Sequence, residues 1–126
     1  MLVNNVGTTF ENKFKQHTPE EIEMMIGLNV YPITFLSYSM IPKMVQRYES
    51  TGRKSLIINL SSFAAKVHMP KWAIYGATKI YDDYLSRGLR YEYRDSIDIC
   101  SFTPNAVDTN LVSTVGWRRR NALPQI

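Results

Sequence analysis

The chain has 126 residues, of which 44% are hydrophobic and 21% are charged, so it is long enough for one globular domain with a buried core. Its net charge is +4, and the basic residues are scattered except for Arg118–Arg120, so nucleic-acid binding is not expected. No run reaches about 18 consecutive apolar residues, so no membrane span is expected. The single cysteine, Cys100, excludes an intrachain disulfide, and its apolar surroundings predict a buried thiol.

The first half of the chain predicts a strand followed by a long helix. Met1–Asn5 is a short apolar run that is typical of a buried strand. Thr18 is a good N-cap, because Pro19 follows at the first helical position and Glu21 occupies the capping-box position. Pro32 should interrupt this helix and kink it, after which the helical pattern resumes.

The second half predicts a strand, a helix and a strand. Leu56–Leu60 is a nearly continuous apolar run, typical of a parallel strand that is covered on both faces. Trp72–Tyr93 has a helical pattern, and Ile97–Phe102 predicts the last strand. This alternation implies an α/β fold with a parallel sheet, in which ligands bind beyond the carboxyl ends of the strands. The segments expected to meet there are Asn4–Gly7, Ser61–Ser62 and Thr103–Thr109.

Tyr75 and Lys79 lie four positions apart in the second long helix, so they share one face of it. An ammonium group close to a phenol lowers the phenol's pKa from about 10, and such a tyrosine can exchange a proton with a carbonyl or an alcohol. With eight tyrosines in the chain, roughly 0.4 such pairs are expected at random. The spacing alone therefore does not separate catalysis from chance.

Two further polar positions are candidates for the same cleft, and each has a plainer alternative. A serine at Ser61 or Ser62 could hydrogen-bond a substrate oxygen, or it could only satisfy the local backbone. Asn29 lies on the otherwise apolar side of the first helix. Its amide could bond the backbone groups that Pro32 frees, or it could order a proton-carrying water behind Lys79.

Taken together, these segments resemble the short-chain dehydrogenase/reductase family. Leu2–Gly7 is similar to the family's asparagine-rich segment after the fourth strand, although Val6 stands where alanine is usual. Asn59–Ser62 resembles the serine motif at a strand end, and Tyr75–Lys79 resembles the Tyr-x-x-x-Lys motif. Pro104–Thr109 is similar to the Pro-Gly-x-Val-x-Thr loop, in which an asparagine replaces the glycine.

The resemblance implies hydride transfer between a nicotinamide and a carbonyl or its alcohol, without a metal. The catalytic residues that it implies are Asn29, Ser62, Tyr75 and Lys79. Ser62 is preferred to Ser61 because it precedes Tyr75 by thirteen positions, the family spacing. Tyr75 would be the acid or base, Ser62 would orient the oxygen, and Lys79 would lower the pKa of Tyr75 and hold the ribose. The implied cofactor contacts are Asn5, Gly7, Tyr75, Lys79, Val107 and Thr109.

Within the family, Asn4–Gly7 and Pro104–Thr109 are most similar to microsomal 3-ketoacyl-CoA reductases and hydroxysteroid dehydrogenases, and Tyr91–Arg94 fits that branch too. This resemblance implies a 3-oxoacyl-CoA or a steroid-like lipid carbonyl as substrate, and a role in lipid metabolism or fatty acid biosynthesis. It favours NADP(H) over NAD(H). It also implies the cytosolic face of the endoplasmic reticulum, or otherwise the cytoplasm, and a homodimer through the two long helices.

The glycine-rich turn that this family carries on its first βα unit has no counterpart in the sequence, whose glycines are Gly7, Gly27, Gly52, Gly76, Gly88 and Gly116. We therefore expect the C-terminal part of a Rossmann-like, doubly wound parallel sheet, a fragment without the first βαβ units. Residues 1–112 would be its catalytic half, and residues 113–126 a basic tail or the start of a substrate-binding segment. The alternative function is an inactive, truncated remnant that only binds a full-length relative.

Overall fold

The protein is described by a computed structural model over residues 1–105, in which two long helices cover one face of a three-stranded parallel sheet. The strands are β1 (Leu2–Asn4), β2 (Ser55–Leu60) and β3 (Ile97–Phe102), and they lie in that order across the sheet. The helices are α1 (Pro19–Thr51) and α2 (Ala73–Glu92). The predicted order of alternating strands and helices is confirmed, and two short 3-10 turns, Phe14–Gln16 and Phe63–Ala65, were not predicted.

Helix α1 begins as predicted but is not interrupted. The Thr18 hydroxyl accepts a hydrogen bond from the Glu21 backbone N–H at 3.2 Å, and the Glu21 carboxylate accepts one from the Thr18 N–H at 3.3 Å. The helix then continues through Pro32 and Pro42 and ends at Gly52, which has a left-handed φ of 66°. The predicted interruption at Pro32 is wrong, because one missing N–H costs less than the contacts that hold α1 on the sheet.

The face of the sheet that the helices cover changes from apolar to polar along the strands. Ile57 is in register with Leu2 and Ile99, whereas Asn59, two residues later, is in register with Asn4 and Ser101. The apolar residues near the amino ends of the strands form one buried cluster with α1, which we call the apolar end: Ile41, Met44, Ile57, Ile97 and Ile99. The polar row therefore lies at the carboxyl ends of the strands.

Neither α1 nor α2 covers the opposite face of the sheet. Val3 is 47% exposed and Phe102 is 54% exposed, and Cys100 on the same face is exposed as well. The expectation that the Cys100 thiol is buried is therefore wrong, whereas Leu56, Ile58 and Leu60 on this face of β2 are half-buried. The physical reason is that both helices pack on the other face.

Helix α1 is long and apolar enough to cross a membrane by length and composition alone, with a mean hydropathy of 1.3 over its best window. Core helices of globular proteins have the same property, and one stripe of α1 is buried within the protein: Met25, Asn29, Ile33, Ser37, Ile41 and Met44. The predicted boundary between residues 1–112 and 113–126 lies outside the described residues and stays a prediction.

Candidate active site

The inward stripe of α2 is polar throughout the region where it crosses the carboxyl ends of the strands. Its buried residues are Tyr75, Thr78, Lys79, Asp82 and Ser86. Spacings of three, four and seven residues place these side chains on one side of the helix. A helix that turns such a stripe inward has to satisfy these polar groups inside the protein, so the stripe is a candidate for a functional site.

Tyr75 and Ser62 meet at this place. The Tyr75 side chain is buried, packs edge-to-face on Trp72 with ring centroids 5.2 Å apart, and shares a small apolar cluster with Met25 and Ala64. The Ser62 side chain lies close enough to the phenol to lower its pKa, and it accepts a hydrogen bond from the Ala64 N–H at 3.2 Å. The structure thus brings together the two residues that the sequence pairs.

Ser61 is directed elsewhere. Its hydroxyl donates to the backbone carbonyl of Lys79 at 2.7 Å, and its side chain is buried. It therefore anchors the backbone of α2 to the end of β2 and does not contact the phenol. This arrangement agrees with the choice of Ser62 over Ser61 as the candidate for orienting a substrate oxygen.

The pKa of the Tyr75 phenol is raised above its ordinary value of 10.0, and burial is the main cause. The hydrogen bond from Ser62 lowers that pKa, and the negative charge of Asp82 raises it further. The expectation that the pKa of Tyr75 lies below its ordinary value is therefore wrong for this structure. The Lys79 Nζ lies 5.8 Å from the centroid of the Tyr75 ring, and a carboxylate compensates its charge.

That carboxylate belongs to Asp82, which the sequence analysis did not single out. Lys79 Nζ donates to Asp82 Oδ2 at 2.9 Å and to the Leu60 carbonyl at 3.0 Å. Burial raises the pKa of Asp82, and this outweighs the lowering effect of the Lys79 charge and hydrogen bond. Helical spacing could have revealed this residue, since Asp82 lies seven positions after Tyr75 and therefore on the same face.

Asn29 ties the loop after β1 to α2. Its Oδ1 accepts from the Thr8 N–H at 2.7 Å, and its Nδ2 donates to the Thr8 carbonyl at 3.0 Å and to the Thr78 hydroxyl at 2.9 Å. The interpretation that this amide serves backbone groups freed by Pro32 is therefore wrong, because its partners lie in another loop and another helix. The water that Asn29 would order behind Lys79 stays a prediction.

The loop that Asn29 holds contains two of the predicted cofactor contacts. A Cβ added to Gly7 would lie 3.0 Å from Asn29 Oδ1 and 3.5 Å from Lys79 Nζ, so only glycine allows this close approach. Asn5 is exposed just beyond the end of β1. The other two predicted contacts, Val107 and Thr109, lie outside the described residues.

A chain of hydrogen bonds, which we call the polar column, runs across the sheet below the site. Asn4 Nδ2 donates to Asn59 Oδ1 at 2.8 Å, Asn59 Nδ2 donates to Ser86 Oγ at 2.8 Å, and Ser86 Oγ donates to the Asp82 carbonyl at 2.5 Å. The column consists of Asn4, Asn59, Ser86 and Asp82. Asn4 and Asn59 belong to the recognised motifs, but sequence reasoning gave them no role; their position in apolar strands was the available signal.

Thr103–Thr109 is the third segment expected at the cleft, and the structure describes only its first three residues. The Ser61 N–H donates to the Phe102 carbonyl at 2.8 Å, and the Phe63 N–H donates to the Pro104 carbonyl at 2.9 Å. The pairing of β2 and β3 thus continues into the two loops, which brings Pro104 beside the serine segment. Within residues 1–105, no group of three or more His, Cys, Asp or Glu side chains is arranged to hold a metal ion.

Comparisons with known proteins agree with this geometry. The chain is 37% identical over 120 residues to a very-long-chain 3-oxoacyl-CoA reductase-like protein of Arabidopsis thaliana, and 35% identical over 116 residues to hydroxysteroid dehydrogenase-like protein 1 of Gallus gallus. These matches cover 91% and 90% of the chain, respectively. The chain spans only 37% and 34% of the lengths of these two relatives.

Among solved structures, the chain is similar to a 3-ketoacyl-(acyl-carrier-protein) reductase of Brucella melitensis complexed with NADH. The TM-score is 0.86 at 27% identity, over 95% of this chain and 50% of that one. A short-chain dehydrogenase of Sphingobium yanoikuyae in complex with NADPH gives a TM-score of 0.83 at 32% identity, over 99% of this chain and 47% of that one. The expected Rossmann-like α/β fold is confirmed.

The sequence profile of the short chain dehydrogenase family matches residues 1–119, which is nearly the whole chain. The match includes the loop after β1, the serine segment after β2 and the Tyr75–Lys79 pair, which are the parts that form the candidate site. The chain therefore belongs to the short-chain dehydrogenase family.

Proposed function

We propose that this chain carries the proton-transfer site of an NAD(P)(H)-dependent oxidoreductase that interconverts a carbonyl and its alcohol. The observation that supports this most strongly is the buried Tyr75 phenol, which lies beside Ser62 and one helical turn from Lys79. Because burial raises the pKa of Tyr75, its hydroxyl stays protonated at neutral pH. A protonated phenol can donate its proton to the oxygen of a carbonyl that is being reduced.

In this proposal Ser62, Tyr75, Lys79 and Asn29 have different tasks. The Ser62 hydroxyl holds the substrate oxygen next to the phenol, and Tyr75 transfers the proton to or from that oxygen. The Lys79 ammonium group provides a nearby positive charge that favours the phenolate after the proton has left. Asn29 keeps the loop after β1 against α2, and a water ordered by Asn29 would return a proton towards Lys79.

The described residues fit one end of a nicotinamide dinucleotide. Gly7 leaves room beside Lys79 and Asn29, and the ammonium group has three donors, of which Leu60 and Asp82 take two, so that one can meet a ribose hydroxyl. Residues 1–105 contain no glycine-rich turn for the pyrophosphate. When bound, the nicotinamide supplies or accepts the hydride. The preference for NADP(H) over NAD(H) stays a prediction.

The proposed substrate is a lipid-like carbonyl, either a 3-oxoacyl-CoA or a steroid. It is supported by the names of the relatives, one of which is a very-long-chain 3-oxoacyl-CoA reductase-like protein and another a hydroxysteroid dehydrogenase-like protein. A role in fatty acid biosynthesis at the cytosolic face of the endoplasmic reticulum follows from the same resemblance and stays a prediction.

The test measures NADPH oxidation at 340 nm with a 3-oxoacyl-CoA and, separately, with a ketosteroid. Tyr75→Phe should lower kcat by about 10²- to 10⁴-fold, the usual contribution of a general acid, while the Kd for NADPH changes little. Tyr84→Phe is the matched control, because Tyr84 is on the same helix but is 79% exposed. Equal turnover in Tyr75→Phe and Tyr84→Phe would refute the role of Tyr75.

If the wild-type chain turns over neither substrate and NADPH does not change its fluorescence, the oxidoreductase proposal fails for this chain. That result would favour the second candidate function, which is binding to another copy of the same fold. It is favoured by an exposed aromatic stripe on α1, formed by Tyr31, Phe35 and Tyr38, which are 57%, 63% and 78% exposed. Tyr84 and Tyr91 on α2 are 79% and 75% exposed and also share one side of their helix.

We propose that these aromatic side chains form a homodimer contact through α1 and α2, since exposed aromatic patches mark interfaces. Sedimentation velocity should show a dimer for the wild type and a monomer for Phe35→Glu. Lys13→Glu, an exposed position outside both helices, should remain dimeric. A monomeric wild type at concentrations up to about 100 μM, which correspond to weak binding, would refute this contact.

A further inference from the structure

We propose that Asp82 is a positioning residue that holds the Lys79 ammonium group below Tyr75 and compensates the charge that would otherwise act on the phenol. This inference rests on the proposed role of Tyr75 and adds a residue to it. Asp82 is not part of the motifs Asn59–Ser62 or Tyr75–Lys79 that carry the family resemblance.

Lys79 and Asp82 form a buried ion pair with a fixed geometry. Lys79 Nζ and Asp82 Oδ2 are 2.9 Å apart, and the two side chains are only 6% and 3% exposed. Because the Leu60 carbonyl takes a second ammonium proton at 3.0 Å, two of the three donors are fixed by the protein. The ammonium group is therefore held in one orientation, and Asp82 is the only charged group that holds it among the described residues.

Asp82 is unusual for a group that serves stability alone. Its Oδ1 atom is buried and has no hydrogen-bond partner among the described residues, and burial raises its pKa. A buried ion pair of this kind contributes little net stability, because desolvation of both charges offsets their attraction. Apolar side chains at both positions would cost less than this ion pair, so the retained pair points to a task at the site.

Few buried charged side chains lie near Tyr75. Of the buried side chains in residues 1–105, only Lys79 and Asp82 are charged, and both lie on α2 with Tyr75. The polar side chains that face this pair from α1, β1 and β2 are neutral amides, namely Asn29, Asn4 and Asn59. The charge near the phenol is therefore set by two residues, and removal of one changes its balance.

The neighbouring carboxylate provides a matched control. Asp83 follows Asp82 on the same helix, but its side chain contacts Lys66 at 2.7 Å, Arg87 at 2.9 Å and Ser101 at 2.7 Å. It does not contact Lys79. Asp82→Asn and Asp83→Asn each remove one negative charge from adjacent positions, so only the placement of the charge differs between them.

The experiment follows the ¹³Cζ resonance of Tyr75 with pH in the full chain, and the signal is identified by its loss in Tyr75→Phe. Asp82→Asn should lower the pH at which Tyr75 titrates, because a repelling negative charge is gone and the Lys79 charge is no longer compensated. Asp82→Glu, which keeps the charge, should titrate closer to the wild type. Asp83→Asn should match the wild type. An unchanged titration in Asp82→Asn would overturn the proposal.

If Asp82→Asn does not fold, the same question is answered on the wild type. The ¹³Cγ resonance of Asp82 should titrate above pH 3.8, and a titration at or below pH 3.8 would overturn the proposal. Neither readout needs turnover. An inactive chain that shows the shift would therefore refute the proposed function alone, whereas an active chain without it would refute only the role of Asp82.

Discussion

The two ends of the covered sheet face are equally buried but are held together by different forces. At the apolar end, Ile57 is fully buried and packs with Ile41 and Ile99. Two residues further along β2, Asn59 is also fully buried, yet its contacts are hydrogen bonds to Asn4 and Ser86. One continuous face therefore provides stability at the amino ends of the strands and a polar floor for the candidate site at their carboxyl ends.

Substitutions at the two ends should also destabilise the protein for different reasons. Removal of an apolar side chain leaves a cavity, and its cost increases with the size of that cavity. Removal of one member of the polar column leaves a buried donor or acceptor unpaired, and the cost is the desolvation of that group.

The largest effect on stability is expected at the apolar end. Ile57→Ala should lower the free energy of unfolding by about 3 kcal/mol, because Ile57 is fully buried and its neighbours refill the space only in part. The measurement is urea unfolding followed by circular dichroism. Ile58→Ala is the control, since Ile58 faces the uncovered side of the sheet and should cost clearly less. Equal losses would contradict the assignment of the core.

A smaller effect is expected in the polar column. Asn59→Ala should cost about 2 kcal/mol, because the Asn4 amide loses its acceptor and the Ser86 hydroxyl loses its donor. Asn5→Ala, at an exposed asparagine next to Asn4, should leave the free energy of unfolding nearly unchanged. If Asn59→Ala is as stable as Asn5→Ala, the polar column does not contribute as described.

The smallest effect concerns pH and compares the two adjacent aspartates. Burial alone would raise the pKa of Asp83, but hydrogen bonds from Lys66 and Ser101 and the nearby Arg87 lower it overall. A lowered pKa in the folded state means that Asp83 stabilises the fold above its ordinary pKa of 3.8 and loses this contribution as pH falls through the folded value. Asp82, with a raised pKa, has the opposite sign.

Asp83→Asn should therefore destabilise the protein by less than about 1 kcal/mol at pH 7, since its partners are partly exposed. The difference from the wild type should shrink as pH falls through the folded pKa of Asp83, below 3.8. Parallel urea titrations of both proteins at pH 7 and at low pH measure this directly. A difference that grows towards low pH would contradict the lowered pKa.

Much of this arrangement could be predicted from the sequence. The alternation of apolar runs gave three strands in the right order, and the last of them, Ile97–Phe102, has the predicted bounds. The thirteen-residue spacing selects Ser62, and the structure places Ser62 beside Tyr75. These features were accessible because they depend on local periodicity and on distances along the chain.

The other features of the fold and of the candidate site depend on tertiary contacts, which cannot be read from the sequence. The continuity of α1 through Pro32 is decided by packing, and the exposure of Cys100 by which sheet face the helices cover. The direction of the Tyr75 pKa depends on the balance between burial, Ser62 and Asp82, and the spacing of Tyr75 and Lys79 is only part of it. Asp82 was missed because its importance arises from one contact with Lys79.

The most direct test of the central claim, that Tyr75 is a buried, protonated acid held by Ser62, is the ¹³Cζ titration of Tyr75 in the wild type and in Ser62→Ala. The structure predicts a wild-type titration above the ordinary value of 10.0 and a still higher one in Ser62→Ala, because the hydrogen bond that lowers the pKa is removed. A wild-type titration at or below 10.0, or no further rise in Ser62→Ala, would contradict it.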